Sequence, residues 1–182
     1  MIRQLTFFVL LAIAGFASRA EGSLVKTSPF SESLDLSHIG KTFDFKVSIP
    51  EAGAYSLTVK FFVRKSNKFL RILDSEETPE EAVRLSKILG APAKTAGGEW
   101  KETGAPVSFN IKVYRKLSGQ YIFDRHVTHP GTSASYMGRH AEIFQGYLDK
   151  GQYDIKLEYF DGDPALFAVP AEISFGKSHH GK

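Results

Sequence analysis

Cysteine is absent from all 182 residues. Its absence excludes a disulfide-reinforced scaffold and removes any thiol that could carry a lipid anchor. It also fits a bacterial periplasmic protein better than a small eukaryotic secreted domain, where disulfides are the common reinforcement. Long hydrophobic runs are missing too. The longest, Leu5 to Phe16, is interrupted by Thr6 and Gly15 and falls well short of the ~20 residues a spanning helix needs. A strong charge of one sign is lacking: the formal net charge is +3, without the basic stripe that marks nucleic-acid binding. No nucleophile elbow, phosphate loop, dinucleotide fingerprint, metalloprotease helix or EF-hand loop occurs. Catalytic residues, a cofactor and a metal centre are therefore not expected.

What is present begins with an address. Arg3, the short apolar run and the small residues Ser18 and Ala20 around Arg19 have the three-part form of a secretory signal. Residues 1–20 are read as that signal, cleaved after Ala20. Cleavage removes Arg3 and Arg19 and no acid, leaving a nearly neutral, soluble periplasmic or secreted chain with no membrane span.

The rest divides into an N-terminal segment 21–40, a β-rich domain 41–175 and a polar tail 176–182. Period-two alternation dominates the domain. Tyr55, Leu57, Val59, Phe61 and Val63 share one face, as do Val107, Phe109, Ile111 and Val113. Leu57, Val59, Val107, Phe109 and Ile155 are expected to point inward. Further strands are expected at 120–128, 140–146, 152–159 and 166–175, with a weaker one near 32–37. One buried and one wet face per strand is the mark of antiparallel sheets. The expected fold is mostly all-β: an antiparallel β-sandwich of about seven or eight strands. One inserted helix near 79–89 is signalled by Thr78-Pro79-Glu80-Glu81, with Val83, Leu85, Ile88 and Leu89 as its apolar face and Gly90 as its stop. Residues 91–106 read as an exposed loop.

Two stretches echo each other. Ile49 to Val59 and Leu148 to Leu157 each show a strand end, a short polar turn, Gly-x-Tyr and renewed alternation. They are either two similar hairpins or two equivalent corners of a sandwich. The Gly-x-Tyr corner resembles those of secreted bacterial β-sandwich modules, carbohydrate-binding ones among them. The longer order runs from Phe43-Asp44-Phe45-Lys46-Val47 through Gly53-Ala54-Tyr55 and the helix ending Leu89-Gly90 to Val107-Ser108-Phe109-Asn110-Ile111-Lys112-Val113. It resembles a family of uncharacterised bacterial envelope proteins over residues 41–175. That resemblance implies the fold and the location, and the missing lipid-bearing cysteine departs from many members.

Three of the six histidines fall between 126 and 140. Arg125, His126, His129, Tyr136, Arg139 and His140 form the densest set of side chains able to bind something, as a rim on loops of a rigid sandwich. A metal-dependent hydrolase would use His126, His129 and His140 with Glu142. However, His126 and His129 face opposite ways on a straight strand, so only a bend at His129-Pro130-Gly131 would unite them. Asp161-Gly162-Asp163, near Glu158, reads as a hairpin turn with too few oxygens for calcium. Trp100 and the tyrosines could stack on a sugar, although single aromatics in β-rich chains are usually core residues. His179-His180 belongs to the polar tail. The expected function is non-enzymatic: a periplasmic or secreted protein that binds a protein or carbohydrate partner in the bacterial envelope. The alternatives are an immunity-type protein neutralising a periplasmic toxin, and the hydrolase.

Overall fold

The computed structural model describes residues 24–62, 66–67, 72–73, 79–135 and 138–178. The expected signal 1–20, the cap at Thr78, Tyr136 and the His179-His180 tail lie outside the described residues.

Among the described residues, ten strands build the sandwich. They are β1 (Val25–Thr27), β2 (Phe30–Leu34), β3 (Thr42–Ile49), β4 (Gly53–Phe62), β5 (Val107–Arg115), β6 (Gln120–Thr128), β7 (Thr132–Ser135), β8 (Gly138–Leu148), β9 (Gly151–Gly162) and β10 (Ala171–Lys177). One five-stranded sheet has the order β1-β3-β9-β5-β6 and the other β7-β8-β4-β10-β2. All pairings are antiparallel except the short parallel one between β1 and β3. The alternation sorts as the pattern requires. Leu57, Val59, Val107, Phe109 and Ile155 are all buried between the sheets, with Tyr153, Leu157, Tyr159, Ile173 and Phe175 beside them.

Four expectations need correction. The sandwich starts before residue 41, because β1 and β2 form the outermost strands of the two sheets on one side. The strand expected at 166–175 begins only at Ala171, since Pro164–Leu166 forms a 3₁₀ turn capped by Asp163. In the helix α1 (Pro79–Ile88), Leu85 is buried and Leu89 follows it into the core, but Val83 is 67% exposed. The residues called a loop, 91–106, include a two-residue pairing of Ala93–Lys94 with Trp100–Lys101 and bury Ala105.

The internal echo resolves into two equivalent corners. β3 and β4 belong to different sheets, and so do β8 and β9. Neither turn is a hairpin. Ile49 at the end of β3 lies opposite Gly151 at the start of β9, while Leu148 at the end of β8 lies opposite Gly53 at the start of β4. Each corner's outgoing strand thus pairs with the other's incoming one. In both, the tyrosine is buried and its hydroxyl donates to the carbonyl four residues earlier, Tyr55 to Glu51 and Tyr153 to Asp149, each at 2.9 Å. Ion pairs Lys177–Glu51 and Arg115–Asp149 flank them. Tyr55→Phe and Tyr153→Phe should each cost about 1 kcal/mol, the net worth of one hydrogen bond plus its orphaned carbonyl. Urea denaturation of both variants checks the equivalence, and losses differing by more than about 1 kcal/mol would break it.

Candidate functional site

The five described side chains of the expected rim, Arg125, His126, His129, Arg139 and His140, do not converge on one point. Among the described residues, β6 is the outermost strand of its sheet and pairs only with β5. Arg125 lies opposite Ile111 in the core-facing row, between Phe123 and Val127. Its side chain stays exposed, so it sets a charge at the open edge of the sheet, and charged edge residues are a known guard against edge-to-edge pairing. Arg139 is held within the sandwich. Its Nε donates to Thr132 Oγ1 and its Nη2 to the Thr132 carbonyl, both at 3.0 Å. The Thr132 amide in turn donates to Glu102 Oε1 at 2.8 Å. His140 lies on the outer face of the other sheet, 2.9 Å from Ser133 Oγ. His129 forms the corner between β6 and β7 with a left-handed φ of 47°. Tyr136 lies outside the described residues. Among the described residues, no three His, Asp or Glu side chains are placed to hold a metal ion. No helix among them is long and apolar enough to cross a membrane.

His126 is the member of the set around which a site assembles, on the outer face of the β1-β3-β9-β5-β6 sheet. Asn110 on β5 lies opposite His126 on one side and Glu158 of β9 on the other. Asn110 Nδ2 donates to Glu158 Oε2 at 3.0 Å. Its Oδ1 then faces His126 Nδ1 at 2.7 Å. A carboxylate only accepts, so the amide orientation is fixed and its oxygen must receive a hydrogen. His126 therefore carries a proton on Nδ1, and in the neutral ring Nε2 is left as the acceptor.

Phe160 completes this group. A bulge between Tyr159 and Asp161 breaks the register of β9 against β5, and such bulges re-aim side chains. Phe160 is 52% exposed, and its ring lies 5.0 Å from that of His126 at 88°. One step further along the sheet, Asp161 pairs with Ser108. There Pro106, Ser108, His129, Asp161, Gly162 and Asp163 line a cleft of about 240 Å³. Asp161 Oδ1 accepts from the Gly162 amide and Asp163 Oδ1 from the Ala165 amide. The Asp161-Gly162-Asp163 segment is thus a strand end and a cap, not a hairpin turn, because β9 and β10 lie in different sheets. Beneath Gly162 sits the buried Tyr159 hydroxyl, which finds no hydrogen-bond partner among the described residues. Burial, followed by the charges of Asp161 and Asp163, pushes this phenol above its usual range.

Reading the sequence for clusters of histidine missed Asn110 and Phe160. Phe160 did leave a signal: it is apolar yet out of phase with Tyr153, Ile155, Leu157 and Tyr159. Trp100, singled out as a possible stacking platform, is 69% exposed with Lys94 Nζ 5.5 Å from its ring centroid.

Fold and site together define a two-sheet β-sandwich domain with a polar cleft next to the half-exposed His126–Phe160 pair. The chain belongs to the family described as Domain of unknown function (DUF5625), whose model matches residues 28–177. No curated protein matches it. Among solved structures it is similar to GEBA250068378 from Sulfurospirillum deleyianum, with 18% identity and a TM-score of 0.62 over 84% of this chain and 98% of that one. That likeness shows the fold. The pre-peptidase C-terminal domain of collagenase from Bacillus anthracis aligns at 10% identity and a TM-score of 0.32, over 84% of this chain and 95% of that domain. At that score the likeness carries no functional argument.

Proposed function

We propose that the protein is a non-enzymatic binding domain of the bacterial envelope, exported through its N-terminal segment, which engages a protein or glycan partner at the His126–Phe160 face. The observation that carries this reading is Phe160: a half-exposed aromatic ring set on a bulge, against a histidine whose orientation two further strands fix. Binding energy concentrates in a few such anchored side chains.

The test uses protein recovered from the periplasm, whose first residue by intact mass should be Glu21. Wild type and the Phe160→Ala/His126→Ala double variant are immobilised and exposed to solubilised envelope. Partner affinity should fall by at least about 2 kcal/mol in the double variant. His140→Ala, on the opposite outer face, should leave it unchanged. A partner that the double variant retains at full affinity would move the site elsewhere.

A further inference from the structure

Resting on the reading of that face as a binding site, we infer that its ligand is an uncharged sugar ring. The groups that line it are Asn110, His126, Glu158 and Phe160, continuing into the cleft of Ser108, His129, Asp161 and Asp163. No lysine or arginine is in that set, and the exposed Lys156 on the same face lies one row away beside Lys112, so the carboxylates outweigh any selection for phosphate or carboxylate. Its three carboxylates keep their charge, because the donors they accept from are neutral, and that charge disfavours an anionic ligand. Glu158 accepts from Asn110, Asp161 and Asp163 each accept a backbone amide, and the neighbouring Lys112 is paired with Asp124 at 3.4 Å.

What remains on offer is a row of acceptors beside an aromatic surface. His126 Nε2 can take one hydrogen bond, and the second oxygens of Asp161 and Asp163 can take more. A ligand that fits must supply several O–H donors from one edge and an apolar face for Phe160. A pyranose does both: its hydroxyls donate around the rim and its C–H face lies flat on an aromatic ring. The fixed tautomer matters here, because a histidine free to carry its proton on Nε2 would offer a donor instead.

The inference is tested by NMR on the uniformly ¹⁵N-labelled protein. The ¹⁵N shifts of His126 should report the Nδ1–H tautomer in wild type and lose it in Asn110→Ala. The probes are the neutral β-1,4-linked hexasaccharides of glucose, mannose and N-acetylglucosamine, with trilysine as an amine control, each added to about 10 mM, which detects dissociation constants into the millimolar range. At least one hexasaccharide should saturably shift both His126 Nε2 and the Phe160 ring signals. Phe160→Ala should weaken that sugar at least tenfold, and Asn110→Ala several-fold, with the remaining amide spectrum preserved. Silence from every hexasaccharide at these two residues overturns the inference, as does saturation by trilysine alone. If sugars are silent while envelope capture still depends on Phe160, only the sugar assignment falls. If that dependence is absent as well, the binding-site reading falls with it.

Discussion

Gly104→Ala is expected to lower stability by about 3–5 kcal/mol, combining left-handed backbone strain with overpacking. Gly104 has a φ of +76°, and a Cβ placed there would meet the His129 carbonyl oxygen at 2.1 Å. That carbonyl has no room to retreat. The His129 amide donates to the Val107 carbonyl, the Pro130 carbonyl accepts from Ala105, and Thr132 is tied to Glu102 and Arg139. The corner that passes the chain from one sheet to the other is therefore clamped on both sides. Gly98→Ala supplies the comparison: its φ is +85°, yet no heavy atom lies within 4 Å of the added carbon. It should cost only the backbone term, about 1–2 kcal/mol. Urea denaturation of both variants separates the two effects. Equal losses would show that the corner yields to the new methyl group.

Phe109→Ala should cost about 3–5 kcal/mol, the range for truncating a large buried aromatic. Phe109 is fully buried, stands opposite Tyr159 on one side and Val127 on the other, and packs its ring 5.7 Å from that of Tyr159. The backbone around it is regular strand, so the site has little freedom to collapse into the vacated volume. A loss below about 0.5 kcal/mol, typical of surface sites, would mean that this strand does not face the core. Because Phe109 and Asn110 are adjacent on β5 and face opposite ways, the same variant tests whether the outer site survives damage to the inner layer. The His126–Asn110 contact should persist in whatever fraction remains folded.

The two-layer fold was legible because a strand that is dry on one side and wet on the other must alternate. β3, β4, β5 and β9 follow directly from that rule, whereas β6 is exposed at all but Phe123 and Val127. The short outer strands β1 and β7 were not legible. Three or four residues carry no readable period, and what places them is pairing with β3 and β8. The corners were half legible. Gly-x-Tyr announced a change of direction, but sequence alone does not distinguish a turn back along one sheet from a step across to the other. The candidate site was less legible still. Histidine, arginine and tyrosine were weighed by proximity along residues 125–142, whereas the sheet joins side chains 16 and 48 positions apart, His126 to Asn110 and Asn110 to Glu158. Arg139 illustrates the converse: an arginine that looked free to bind a partner is committed to Thr132.

The mutual pairing of the two tyrosine corners also sets an order of events in time. β3 has for neighbours only the three residues of β1 and the distant β9, and β4 has only β8 and β10. The first half of the chain therefore cannot complete either sheet by itself. Ile49 finds Gly151 about a hundred residues away, a separation that makes such contacts slow to form. Until residues 151–177 are available, β3 and β4 have exposed edges and no finished core. Folding of this domain is thus tied to residues 151–177, and an emerging chain would stay open at both sheets until they had been synthesised.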